Sequence, residues 1–535
     1  MSETAAAHRP AAAPVRFDQL LRGGDPGRPA VTFKDRTLDY GELARQVACA
    51  ASGLRALGIR RGDRVAVYAE KRIETVVAMF AVSAAGAVLV PLNPLFKERH
   101  VAQVVSDCSA RAVITTAERL PTVGAALGEA GVVGHVIVVG AAVAEAAHTP
   151  GSGAWLTTGW DEVAAGPAEP VADAGGVVDA DIAAIFYTSG STGGPKGVVL
   201  SHRNVIVGAE SVSSYLEHTS QDTVLSVLPL SFDAGFSQLT TAFVRGAHVV
   251  LTNYLVPRDV VRLCAQHSVT ALTCVPPLWL QLAALEWPDE ATRSLRYFAN
   301  TGGRMPKATL DRLRELFPQA APYLMYGLTE AFRSTYLDPA QVDRRPDSIG
   351  RAIPNAEVLV ARQDGTLCDP GEHGELVHRG ALVSLGYWND PERTAQRFRP
   401  APGASGAVRP ELAVWSGDTA YRDEEGYLYF VGRTDEMIKS SGYRISPAEI
   451  EEAAYATGLV GEAVALGVAD ERLGHRVVLV VDGPCDTELL GKALAQLLPR
   501  YMLPHTILVH GTLPRSVNGK FDRPGIRHTI EEAAR

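Results

Sequence analysis

The chain has 535 residues, 46% of them hydrophobic and 21% charged, which is enough apolar material for more than one buried core. Its 60 acidic against 51 basic side chains leave a net charge of −9, the wrong sign for a nucleic-acid or anionic-membrane binder. Six cysteines (Cys49, Cys108, Cys264, Cys274, Cys368, Cys485) include no Cys-x-x-Cys pair, so neither a zinc centre nor a disulfide framework is indicated, and reduced thiols in a cytoplasmic protein are expected.

Residues 1–15, rich in Ala and Pro and without the apolar core of a signal peptide, read as a disordered tail. No run reaches the roughly eighteen apolar residues that span a bilayer; Val76 to Leu92 comes nearest, interrupted by Ser83 and closed by proline, so membrane insertion is not expected. From Leu38 to Thr116 helical and strand patterns alternate. A helix is predicted over Tyr40–Leu57, a strand over Arg64–Tyr68, a helix over Glu74–Ala85, a strand over Val88–Val90 and a helix over Glu98–Asp107. Such alternation favours parallel strands joined by crossover helices. The Ala-, Gly- and Pro-rich stretch 140–176 reads as a surface excursion.

Next comes Tyr187-Thr188-Ser189-Gly190-Ser191-Thr192-Gly193-Gly194-Pro195-Lys196-Gly197-Val198, flanked by apolar runs and therefore a loop between two strands. Its glycines let backbone N–H groups close on an anion, while hydroxyls and one lysine add donors and charge, which suits a polyphosphate. A Walker A loop is excluded, because no Gly-Lys-Ser/Thr follows the four-residue spacer. A second alternating block covers 205–326; after Ser348 short strands and Gly/Pro turns, such as Glu357–Ala361 and Gly374–His378, predict a small antiparallel sheet. Beyond Asp435 an independent α+β unit is predicted, with helices at Ala448–Tyr455 and Thr487–Leu498 and strands at Ala463–Val468, Arg476–Val481 and Ile507–Val509.

Five further constellations carry polar chemistry. Tyr326-Gly327-Leu328-Thr329-Glu330 combines an aromatic, a glycine, a hydroxyl and a carboxylate able to flank a nucleotide and offer an oxygen to magnesium. Trp415-Ser416-Gly417-Asp418 supplies a carboxylate that can accept two hydroxyl hydrogen bonds. The others are Gly432-Arg433-Thr434-Asp435-Glu436-Met437-Ile438-Lys439-Ser440-Ser441-Gly442-Tyr443-Arg444-Ile445, Leu513-Pro514-Arg515-Ser516-Val517-Asn518-Gly519-Lys520, and Pro229-Leu230-Ser231-Phe232-Asp233-Ala234-Gly235-Phe236. Taken singly, each also reads as an ordinary turn or surface loop.

Together and in this order, the motifs resemble those of the adenylate-forming superfamily, which contains acyl-CoA synthetases, the adenylation domains of nonribosomal peptide synthetases and beetle luciferases. The resemblance implies a large α/β domain with parallel sheets and a small β subdomain over 16–434, followed by a small mobile α+β domain over 435–535. It implies ATP binding by Thr188, Ser189, Gly190, Ser191, Thr192, Gly193 and Lys196, by Gly302 and Gly303 along the adenine, and by Tyr326, Gly327, Thr329, Asp418 and Arg433. By the same resemblance Glu330 binds Mg²⁺, Lys520 is the catalytic lysine with Lys439 assisting, and Asp435 is the hinge. Phe232, Asp233 and Phe236 would line the acyl pocket, and Gly442 with Tyr443 would face the incoming thiol. The expected reaction is ATP-dependent activation of a small-molecule carboxylic acid, followed by transfer to a thiol, most simply that of coenzyme A. The alternative is a stand-alone amino-acid-activating enzyme that loads a separate carrier protein, with Asp233 holding the substrate ammonium.

Overall fold

The computed structural model describes residues 13–130, 134–140, 155–168, 176–189, 195–403, 410–433, 437–514 and 521–533. Short β-rich runs and the amphipathic segments between them assemble into two largely parallel sheets. In the first, strands Leu156–Gly159, His135–Val139, Ala112–Thr116, Arg64–Tyr68, Val88–Pro91 and Ile182–Ser189 lie in that spatial order, all parallel, and Pro195–Ser201 closes the edge as an antiparallel neighbour of Ile182–Ser189. The second has a parallel centre, Ala321–Tyr326, Tyr297–Asn300, Ala271–Cys274, Thr223–Ser226, His248–Leu251 and Pro29–Phe33, with antiparallel strands at both edges.

One apolar core joins the two sheets, and the helix Ile73–Ala84 runs through it. Every residue of that helix except Glu74 is buried, which is why the sequence there is apolar all round without being a membrane span. Among the described residues no helix is long and apolar enough to cross a membrane. Helix Tyr40–Ala56 starts where expected because Asp39 caps it, accepting from the Glu42 N–H at 2.7 Å.

The stretch 140–176 departs from its reading as a surface excursion. Its described part holds the sheet-edge strand Leu156–Gly159 and the helix Trp160–Ala164, with Trp160 and Val163 buried in the main core. Composition hid this because the contact is non-local. The Val163 backbone packs so closely on Gly53 that a side chain there would collide with it.

A five-stranded antiparallel sheet follows, built from Ala356–Ala361, Gly374–Gly380, Leu412–Arg422, Phe398–Pro400 and Leu428–Arg433, in keeping with the predicted change of texture. It ends at Arg433, and the last sheet begins at Ile438. That last sheet pairs Ile438–Ser440 with Tyr443–Ile445 and packs Ala463–Asp470, Gly474–Asp482 and Thr506–His510 against helices Pro447–Ala456 and Thr487–Leu497. The short hairpin and a final helix, Arg523–Ala533, were not anticipated from sequence.

Candidate active site

In open parallel sheets ligands gather beyond the carboxyl ends of the strands. Here both sheets point those ends at one cavity of about 540 Å³. Its wall takes Glu70 and Lys71 after Arg64–Tyr68, Asn93 to Phe96 after Val88–Pro91, and Val227 to Asp233 after Thr223–Ser226. Val275 follows Ala271–Cys274, Thr301 and Gly302 follow Tyr297–Asn300, and Gly327 to Glu330 follow Ala321–Tyr326.

The residue on which this site turns is Glu330, only 2% exposed. Its Oε1 accepts from Lys196 Nζ at 2.6 Å and from the Tyr387 hydroxyl at 2.7 Å, and Lys196 also donates to that hydroxyl at 3.0 Å. Burial works to raise the Glu330 pKa, yet Lys196, Arg397 and Arg444 hold the carboxyl well below its usual range; burial in turn pushes the Lys196 ammonium down to about 8. Lys196, read from sequence as a phosphate ligand, is thus engaged behind the wall, because a buried carboxylate recruits the nearest cation. Tyr387 carried no sequence signal beyond a glycine-aromatic pair, Gly386-Tyr387.

At the end of strand Ile182–Ser189, Thr188 lies on the cavity wall and its Oγ1 is buried without a partner among the described residues, as a ligand-accepting hydroxyl would be. Gly190, Ser191, Thr192 and Gly193 lie outside the described residues, as do Asp435 and Lys520, and the side chains of Ser189 and Arg433 are likewise not described.

Next to Gly327, and off the cavity wall, the Tyr326 hydroxyl donates to Asp418 Oδ2 at 2.5 Å, and the Tyr326 ring lies near-parallel to His378 at 6.0 Å. Asp418 is 1% exposed; its N–H donates to Ser416 Oγ, which donates to the Leu376 carbonyl. The two residues read from separate motifs therefore meet. Gly302 adopts φ +79° over Val275, where any side chain would be strained, and the Gly303 carbonyl is held by Asn300 Nδ2 at 2.7 Å.

Of the residues expected to line an acyl pocket, Phe232 and Asp233 line the cavity, whereas Phe236 does not. One helical turn further on, it is fully buried among Phe17, Phe80 and Phe186, edge-on to Phe17 at 5.4 Å, and is a core residue. Asp233 keeps part of its surface open to the cavity while lying deep in the protein. Burial raises its pKa, opposed chiefly by the Arg333 guanidinium, with Thr329 hydrogen-bonding the carboxylate.

The last sheet reaches the same cavity through its hairpin. Lys439, Gly442, Tyr443 and Arg444 are on the wall; Gly442, at φ +82°, rests its backbone against Val275, and the Tyr443 ring meets Phe232 edge-on at 5.3 Å and stacks on Tyr501 at 4.0 Å. No group of three or more metal-ligating side chains occurs among the described residues.

The family model described as AMP-binding enzyme matches residues 22–388. Feruloyl-CoA synthase from Amycolatopsis sp is 32% identical over 526 residues, covering 96% of this chain and 97% of that protein. Delta-poly-L-ornithine synthetase from Acinetobacter baumannii is 30% identical over 511 residues, but these are 94% of this chain and only 35% of that longer protein. Among solved structures, o-succinylbenzoate CoA synthetase from Bacillus subtilis superposes with a TM-score of 0.78 at 26% identity, covering 96% of this chain and 98% of the other.

Proposed function

The chain belongs to the AMP-binding enzyme family, and from that premise we propose that it activates a carboxylic acid with ATP and passes the acyl group to coenzyme A. The observation that carries this reading is the convergence on one cavity of the phosphate-loop threonine, the Gly327 to Glu330 segment with the Tyr326–Asp418 pair beside it, and the Gly442 hairpin. In the first step a carboxylate oxygen attacks the α-phosphorus of ATP and pyrophosphate leaves; in the second a thiol attacks the acyl carbon and AMP leaves. The chain contributes position and charge, since such phosphoryl chemistry needs little else. By resemblance Asp418 accepts ribose hydroxyls, and Lys520 neutralises charge between carboxylate and phosphate.

Magnesium fits this donor set modestly. Glu330 Oε1 is already taken by Lys196 and Tyr387, so the residue offers the ion one oxygen, Oε2, and Mg²⁺ is commonly held by one or two carboxylates with phosphate oxygens and water completing the shell. Bound there, it would offset phosphate charge. The hinge at Asp435, the domain boundary beside it and a cytoplasmic location belong to the same proposal.

Loading of an amino acid onto a carrier protein is not favoured, because Asp233, its ammonium ligand on that reading, already faces Arg333 and Thr329. Pyrophosphate exchange measured over carboxylic and amino acids, followed by coenzyme A and carrier protein as acceptors, tests the proposal. Acid-dependent exchange with thioester formation on coenzyme A supports it; exchange with amino acids alone would sink it.

A further inference from the structure

Lys71 stands on the cavity wall at the end of strand Arg64–Tyr68 and is 7% exposed. Its ammonium donates to two backbone carbonyls, those of Ser226 and Leu228, at 2.9 Å each, which leaves the third N–H uncommitted. Neither partner is charged. The other ionisable groups of the wall are differently placed: Glu70 pairs with Arg119, and Asp233 faces Arg333. Among the described residues Cys274 is the titratable group that acts on Lys71, and burial raises that thiol's pKa. A buried cation without a counter-charge is costly, and here burial pulls the ammonium down to about 7.

The lysine is nevertheless held firmly in place. Asn253 grips its backbone from both sides, accepting from the Lys71 N–H at 3.1 Å and donating to its carbonyl at 2.7 Å. Nearby in sequence to Leu228, Ser231 Oγ on the same wall is buried without a partner among the described residues. Leu228, whose carbonyl Lys71 holds, directly precedes the Pro229-to-Phe236 segment, which anchors the lysine on the Phe232 and Asp233 side of the cavity.

On the acid-activating reading above, we propose that Lys71 receives the far end of the acyl substrate, and that this end carries an oxygen group able to accept hydrogen bonds and bear negative charge, a second carboxylate or a phenol. A carboxylate supplies the counter-charge that Lys71 lacks, and a phenol oxygen accepts from its third N–H. A plain alkyl or aryl acid would instead bury the ammonium against hydrocarbon.

The test compares acids alike except at the far end, adipic against hexanoic acid and 4-hydroxycinnamic against cinnamic acid, by kcat/KM in pyrophosphate exchange. Wild-type protein should prefer the oxygen-bearing member of one pair by about 10–100-fold, the value of a hydrogen bond to a charged group, and the preferred pair tells carboxylate from phenol. Lys71→Met should collapse that preference towards unity, chiefly through KM, whereas Lys71→Arg should retain part of it. A lysine that only braces the two carbonyls would lower both members of a pair alike, and that result overturns the proposal while leaving acid activation intact. Wild-type protein without preference in either pair also overturns it, whether or not the variants fold. No exchange with any acid would remove the underlying reading, and the proposal with it.

Discussion

His100 and Glu449, 349 residues apart in sequence, meet at 2.8 Å with both side chains at most 10% exposed. The pair fastens helix Glu98–Asp107 to the N-terminal turn of helix Pro447–Ala456 and so holds the last sheet, with its Gly442 hairpin, against the cavity. Glu449→Ala leaves the imidazole Nε2 buried without that acceptor, at a cost of about 1–3 kcal/mol to the docked arrangement. Thioester formation from supplied acyl-adenylate should slow about tenfold or more, with pyrophosphate exchange affected less. Equal slowing of both steps would show that the pair serves general stability instead.

Asp418→Ala should weaken ATP binding by about 1.5–3 kcal/mol, as expected for hydrogen bonds to a charged acceptor. It also strips the Tyr326 hydroxyl of its acceptor at 2.5 Å. Isothermal titration calorimetry reads the loss directly; unchanged affinity would remove Asp418 from the nucleotide site.

His378 is buried beside Tyr326, and neither ring nitrogen has a hydrogen-bond partner among the described residues. Burial, with Arg397 adding to it, pulls its pKa from the usual 6.5 to about 3. As pH falls the unfolded chain takes up this proton near 6.5 and the folded chain only near 3, so the contribution to stability is complete above 6.5 and is lost across that window. Each pH unit within it removes about 1.4 kcal/mol. Denaturant titrations at pH 7 and pH 4 should therefore show a smaller acid loss for His378→Val than for wild type. A loss of the same size in both proteins would contradict the depressed pKa.

Gly442→Trp adds bulk where even a Cβ would lie 3.0 Å from Val275 Cγ1, and does so at φ +82°. Pyrophosphate exchange should survive and thiol transfer should fall. Lys520→Ala should show the opposite pattern, lowering exchange by about 10²–10³ as for loss of one preorganised donor. The two half-reactions, measured separately in each variant, decide whether one cleft is presented with two faces of the last domain.

Where the fold depends on local pattern, the sequence is readable. The helix predicted over Glu98–Asp107 has those same limits, and Arg64–Tyr68 is the strand expected, because apolar period and charged edges are properties of the segment itself. The burial of Trp160 and Phe236 and the pairing of Lys196 were not legible because each depends on something distant: the main core for the first, an aromatic nest for the second, and Glu330 for the third. Motif order brought Tyr326 and Asp418 into one site, as the structure also does. Lys71 gave no such signal, since the carbonyls it meets lie 155 and 157 residues further along.

Cys274 precedes the wall residue Val275, is wholly shielded from solvent, and has its pKa raised well above the usual thiol range. An acyl-adenylate is a strong acylating agent, and a thiolate beside it would be consumed in a dead-end thioester on the protein. Enclosed, and with burial disfavouring its thiolate, this sulfur is a poor nucleophile towards that intermediate.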